Sequence, residues 1–258
     1  MSTSTPVKTN AVAAKGLWKA YGSGEAQVVA LRDVSVEFAS GAFTAIMGPS
    51  GSGKSTLMHC LAGLDTTDRG TVSIGDTALT GLGDKALTKL RRDKIGFIFQ
   101  QFNLLPTLTA EENITLPAAI AGSKADPAWV KRIIDTLDLA DRLDHKPTEL
   151  SGGQQQRVAC ARALASRPEV VFADEPTGNL DTRSGAEVLS FLRTSVDEFD
   201  QTIVMVTHDP NAAAYADRVV FLADGQVVED MDDPTADSVI DKMKHFEELV
   251  AAAQVKES

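Results

Sequence analysis

The sequence predicts an α/β protein built on a parallel sheet, and three stretches carry that prediction. The apolar run Ala42–Met47 passes straight into the glycine-rich turn Gly48-Pro49-Ser50-Gly51-Ser52-Gly53 and then into Lys54-Ser55-Thr56, in the order strand, turn, helix. Two later apolar runs, Val170–Ala173 and Thr202–Val206, end in titratable side chains, Asp174-Glu175 and His208. Strands that deliver polar groups at their C-terminal ends place them at the rim where open α/β sheets bind ligands. Between the two halves of this core, residues from Phe102 to about Leu150 read as an all-helical insert. A chain of 258 residues with 43% hydrophobic content is long enough to bury such a core.

Taken in order, Met1–Pro6 is polar and lacks the basic-then-apolar layout of a secretion signal, so residues 1–13 read as a disordered lead of a cytoplasmic protein. From Ala14 to Phe38 short β-like segments flank the turn Gly22-Ser23-Gly24 and predict a small antiparallel sheet. Tyr21 stands beside that turn, where its face is available to a purine or is simply half-buried on a strand. In the turn after Met47 the glycines let backbone N–H groups face inward onto a phosphate chain, and the helix starting near Lys54 adds its positive dipole end. Lys54 can neutralise the β- and γ-phosphates, and the Ser55 hydroxyl can reach Mg²⁺. Leu57, Leu61 and Leu64 give that helix a buried face.

Strand-like segments follow at Gly70–Ile74 and Ile95–Phe99, with a helical stretch from Asp84 to Asp93 between them. Gln100 lies where the second segment ends, and its amide oxygen can face a metal or remain solvated. In the insert, Thr109-Ala110-Glu111-Glu112 has the spacing of a capping box, and Asp126-Pro127 reads as an N-cap followed by proline at the first helical position. Val130, Ile133, Ile134 and Leu137 supply an apolar stripe, and Phe102–Pro106 is apolar for a loop, which fits a contact surface or core packing. Ser151-Gly152-Gly153-Gln154 then opens another helix, a second place suited to a phosphate, with Ser151 also able to serve as a plain cap.

Asp174 fits as the Mg²⁺ partner of Ser55, and Glu175 as the group that orients or deprotonates an attacking water. Pro176–Asp181 is a turn into a helix from Arg183 to about Ser195, and Thr202–Val206 is the last core strand. His208 can donate to a γ-phosphate oxygen, whereas His59, His145 and His245 read as local polar groups. Beyond it come the strand Val219–Leu222 and the hairpin turn Ala223-Asp224-Gly225. The tail, 231–258, carries Val239, Ile240, Met243 and Phe246 at helical spacing and predicts an amphipathic helix that docks on the core or on a partner, with Lys256–Ser258 frayed.

Bulk properties narrow the class of partner. A net charge of −11 disfavours a non-specific grip on nucleic acid or anionic lipid. The two cysteines, Cys60 and Cys160, read as buried reduced thiols. No apolar run approaches the roughly 20 residues that cross a bilayer, so the chain is expected to be soluble.

With the phosphate loop, Leu150-Ser151-Gly152-Gly153-Gln154, Asp174-Glu175, Asp181 and His208 in this order, the chain resembles the ATP-binding cassette (ABC) ATPases over roughly residues 14–230. Phe102–Pro106 and Asp174–Asp181 look like the branch that contains macrolide exporters, lipoprotein-release ATPases and the cell-division ATPase FtsE. The resemblance implies a P-loop NTPase (RecA-like) core with an antiparallel β subdomain and an α-helical subdomain at about 102–165. It also implies two copies joined head to tail with two ATP molecules between them. By that likeness Tyr21 stacks on adenine, residues Gly48 and Ser50 to Thr56 hold ATP, and Ser55, Gln100 and Asp174 face Mg²⁺. Glu175 is then the base, His208 senses the γ-phosphate, and Ser151, Gly152, Gly153, Gln154 and Asp181 act across the interface. The implied partners are a second copy and an integral membrane permease, with no nucleic acid, at the cytoplasmic face of the cell membrane.

Three rivals are weighed against this. A P-loop kinase has no use for Ser151–Gln154. A DNA-repair or chromosome-organising ATPase usually carries a long coiled-coil or zinc insert and basic surfaces. A catalytically idle cassette should have lost Glu175 or His208.

Overall fold

The computed structural model describes residues 9–244. Its first two strands, β1 (Asn10–Tyr21) and β2 (Val28–Ala39), pair antiparallel through the turn at Gly22–Gln27. β1 begins at Asn10, four residues ahead of Ala14, so the first strand starts inside the stretch read as a lead; Ala11 and Val12 are buried and bring it in. Residues 1–8 of that lead lie outside the described residues.

The strand β3 (Phe43–Met47) is buried throughout and leads through the glycine-rich turn into α1 (Lys54–Leu61). The chain turns at Gly63 (φ +62°), near where the sequence predicts the helix to end, but Leu64, expected on its buried face with Leu57 and Leu61, lies past the helix and is 46% exposed. Next come β4 (Arg69–Ile74) and the short β5 (Thr77–Ala78), which extend the antiparallel sheet in the order β2-β1-β4-β5. Then α2 (Asp84–Lys94) returns the chain to β6 (Ile95–Phe99).

The insert supplies α3 (Ala110–Ile120), α4 (Pro127–Thr136) and α5 (Gly152–Leu164). Both helix starts read from the sequence form as expected. Thr109 and Glu112 close a reciprocal capping box on α3, and the Asp126 carboxylate accepts from the N–H groups of Ala128 and Trp129 on α4. Trp129 ties the insert to the core: its Nε1–H donates to the Leu164 carbonyl at 2.9 Å and its ring meets Phe199 edge-on at 5.1 Å.

The second half of the core runs through β7 (Val170–Asp174), α6 (Thr182–Phe199), β8 (Ile203–Val206), the short α7 (Pro210–Ala213), β9 (Arg218–Ala223) and β10 (Gln226–Asp232). The central sheet has the order β10-β9-β3-β8-β7-β6 and is parallel apart from the antiparallel β10. Thr202–Val206 is therefore not the last core strand, because β9 crosses over through α7 and pairs in parallel with β3. Side chains alternate across this sheet. Phe43, Ala45, Met47, Val171 and Ala173 join the core cluster under α3 to α6, while Ile46, Val170 and Phe172 join the one under α1 and the antiparallel sheet. The α/β layer thus separates a helical side from a β side. Residues 236–244 are helical, with Val239 fully buried and Met243 against the core; Phe246, His245 and Lys256–Ser258 lie outside the described residues.

Candidate nucleotide site

The C-terminal ends of four neighbouring strands meet at one sheet edge. Cα register sets Phe99 opposite Asp174, Asp174 opposite Val206, and Val206 opposite Ile46, so Gln100, Asp174-Glu175, His208 and the phosphate loop all emerge side by side. The loop itself is shaped by close backbone approach. A side chain at Gly48 (φ +150°) would place its Cβ 2.0 Å from the Leu222 carbonyl oxygen, which only glycine avoids. Gly53 is the N-cap of α1 and gives it no side-chain acceptor, so the first-turn N–H groups face the loop without a partner side chain.

Two further observations fit this hollow to an anion. Ser52 is 2% exposed, and its buried Oγ has no hydrogen-bond partner within the protein, a polar atom left unsatisfied at the loop. Lys54 folds back and donates to the carbonyls of Gly48 (2.9 Å) and Pro49 (2.8 Å), sites it can leave when phosphate oxygens compete. Burial pushes the Lys54 ammonium down, and the carboxylates of Glu175 and Asp174 oppose that. Ser55 is exposed and Thr56 half-buried, on the first turn of α1.

Asp174 ends β7 half-buried. Burial holds its carboxyl above the usual carboxylate range, with His59 working against the shift, Glu175 adding to it and Lys54 opposing it. Glu175 takes a left-handed backbone (φ +44°), rare for a residue with a side chain, and its N–H donates to the Val206 carbonyl. That kink sets Glu175 Oε1 3.0 Å from His208 Nδ1. Gln100 and Asn179 bond reciprocally: Gln100 Nε2 to Asn179 Oδ1 at 3.3 Å, Asn179 Nδ2 to the Gln100 carbonyl at 3.0 Å.

Ser151 and Gln154 cap α5 with a reciprocal box, Gln154 N–H donating to Ser151 Oγ (3.3 Å) and Ser151 N–H to Gln154 Oε1 (2.9 Å). Gly152 faces the Phe102 ring and Leu180, and Gly153 is pressed against Ser184. The Ser184 hydroxyl donates to Asp181 Oδ2 at 2.7 Å, and Asp181 caps α6 through the N–H groups of Arg183 and Ser184. These bonds, led by the Ser184 N–H, hold the exposed Asp181 carboxyl below its ordinary range. Among the described residues, no hydrogen bond or ion pair joins Ser151–Gln154 or Asp181 to residues 48–56. One set of expected site residues therefore gathers at the sheet edge and the other along the start of α5 and α6. Tyr21 ends β1, 43% exposed.

Three neighbours of the expected site residues drew no such reading from the sequence. His59 was read as a bland histidine but lies within electrostatic reach of Asp174; its place one turn after Ser55 on α1 was the available signal. Asn179 drew notice only as part of a turn. Asp65, which accepts from the Tyr21 hydroxyl, carried no local signal at all.

A phosphate-shaped strand-loop-helix with two carboxylates at the edge of a parallel sheet defines a nucleoside-triphosphate-binding α/β protein. The pattern that defines the ABC transporter family matches residues 31–178, and the chain belongs to that family as an ATP-hydrolysing, ATP-binding domain. It is 46% identical over 219 residues to the uncharacterized ABC transporter ATP-binding protein MJ0796 of Methanocaldococcus jannaschii, covering 83% of this chain and 93% of that one. It is 47% identical over 218 residues to the macrolide export ATP-binding/permease protein MacB of Neisseria meningitidis serogroup B, where the match covers 84% of this chain but only 34% of MacB. The solved structure described as a dimeric post-hydrolysis state of MJ0796 bound to ADP and Pi superposes with a TM-score of 0.78 at 42% identity, covering 86% of this chain and 98% of that one. The α/β P-loop architecture read from the sequence is that of these cassettes. No helix among the described residues is long and apolar enough to cross a membrane.

Proposed function

We propose that this chain works as a head-to-tail pair with ATP held between the phosphate loop of one copy and the Ser151–Gln154 helix start of the other. The observation that carries this is the division of the site within one chain, two phosphate-suited helix starts with no bond between them, alongside likeness to a cassette solved as a dimer. In each copy Gly48 and Ser50 to Thr56 wrap the phosphates, Lys54 leaves the Gly48 and Pro49 carbonyls to neutralise them, and Tyr21 stacks on adenine. Ser55, Asp174 and Gln100 are the oxygen donors that would hold Mg²⁺, and the ion would supply positive charge to offset that of the phosphates.

Glu175 receives the water proton and turns the water toward the γ-phosphate, with His208 beside it as the residue that senses the γ-phosphate. Ser151, Gly152, Gly153, Gln154 and Asp181 complete the neighbour's pocket. A separate permease, docked by the loop after Gln100 and the helical subdomain at about 102–165, receives the motion at the cytoplasmic face of the membrane. The work done there is export or mechanical transmission, and no nucleic acid takes part. The ATPase spans the chain from β1 to β10, and the helix at 236–244 docks on it.

The test is Glu175→Gln. ATP affinity should persist while turnover drops by about a hundredfold or more, and size-exclusion chromatography with ATP should show a lasting dimer. A variant that hydrolyses at the native rate as a monomer removes both Glu175 and the pair from the account.

A further inference from the structure

The Tyr21 ring is anchored, exposed as it is. Its hydroxyl donates to Asp65 Oδ2 at 2.7 Å across 44 residues of sequence. Asp65 is itself fixed: Lys19 Nζ and the Thr66 N–H both donate to Oδ1, each at 2.7 Å. Lys19 is only 7% exposed, donates as well to the Thr66 carbonyl at 2.7 Å, and sits 5.1 Å from the centre of the Tyr21 ring. The network joins the end of β1 to the turn that follows α1, the helix whose first residues are Lys54, Ser55 and Thr56. A ring set by α1 thus keeps a constant place relative to the phosphate loop.

We propose that Asp65 is a positioning residue for nucleotide binding, which together with Lys19 holds the Tyr21 ring at one angle as a preformed platform for the base. This rests on the reading of Tyr21 as the adenine contact. Asp65 and Lys19 do not touch the nucleotide; they act through the ring. A tyrosine released from Asp65 has to be ordered each time a base arrives, which lowers affinity by about two- to tenfold. Because the phenol proton is committed to Asp65, Tyr21 presents its face, and stacking on a face is tolerant of which base it receives. The clamp therefore acts on base-bearing ligands as a class and not on the phosphates.

Calorimetric titration of the native chain, Tyr21→Phe, Asp65→Asn, their double variant and Tyr21→Ala, with ATP and with inorganic tripolyphosphate, tests this. Tyr21→Phe and Asp65→Asn should each weaken ATP by about two- to tenfold, the double variant no further, and tripolyphosphate binding should stay at the native value throughout. ATP and GTP should weaken alike. Tyr21→Phe leaves the Lys19–Asp65 pair intact, so the result does not depend on Asp65→Asn folding. If Tyr21→Ala weakens ATP while Tyr21→Phe and Asp65→Asn bind it as tightly as the native chain, the clamp is refuted and the platform stands. Native ATP affinity in Tyr21→Ala refutes both. Loss of tripolyphosphate affinity in step with ATP shows Asp65 acting on the phosphate loop and overturns the proposal.

Discussion

At Gly48 a single missing methyl decides whether the phosphate loop can close. The backbone there sits at φ +150° with the Leu222 carbonyl oxygen 2.0 Å from where a Cβ would stand, so Gly48→Ala forces β3 and β9 apart or rotates the loop. Strain of about 1–3 kcal/mol in a chain of this size lowers Tm by roughly 3–10 °C, and a thermal scan with a parallel ATP titration should show both the drop and a loss of binding. Native values for both would contradict the close approach. Glu175 is the opposite case, a residue that keeps its side chain in a left-handed backbone and is held there by the bond from its N–H to Val206. That arrangement spends conformational energy to face His208. Lys54 shows the third residue-scale device: with its charge parked on two carbonyls, the loop stays compact while its cation remains at hand.

Helix starts do two kinds of work in this chain, and only one of them concerns stability. Thr109 and Glu112 cap α3 through bonds to each other and not to the sheet-edge residues, so Thr109→Ala should cost about 1 kcal/mol and lower Tm by about 2–4 °C. Basal ATPase measured below the transition should be unaltered; a fall in activity matching the loss of the cap would give Thr109 a further role. Ser151 caps α5 in the same way, but its hydroxyl accepts from Gln154 and still has its own proton to donate, so capping and phosphate contact are compatible in one side chain. Farther along α5, the buried Gln156 donates to the carbonyls of Phe99 and Pro176, and Arg162 to those of Phe102 and Asn103. Helix α5 thus grips the segment after β6 at both ends, and Asn179 holds Gln100 between them.

Across the molecule, the parallel sheet divides the interior into two apolar clusters, and each contains one cysteine: Cys60 on the β side, Cys160 on the helical side. Burial pushes both thiols up to about 12, so neither supplies thiolate at pH 8 while the fold is closed. Alkylation by iodoacetamide at that pH should be negligible in the native protein and should rise with the urea unfolding transition followed by circular dichroism. Rapid modification of either cysteine without denaturant would mean that its cluster opens on its own. The two thiols report on opposite faces of the sheet, so their separate rates would also show whether the faces open together.

Features whose cause is local in the chain were legible before any coordinates. The phosphate loop, the caps at Thr109, Asp126 and Ser151, and Asp174-Glu175 at the end of an apolar run each depend on residues within a few positions of one another, where glycine conformations, side-chain caps and strand alternation act directly. The resemblance carried by Ser151–Gln154 and His208 placed the family as well. Tertiary structure alone decided that β9 enters the central sheet beside β3, that β1 starts at Asn10, that Leu64 is left in solvent, that Glu175 meets His208, and that Asp65 takes the Tyr21 hydroxyl. In each of these the partners are brought together by the order and register of strands far apart in sequence, and that order is set by which buried faces fit one another, a property of the assembled core that no short stretch of residues encodes.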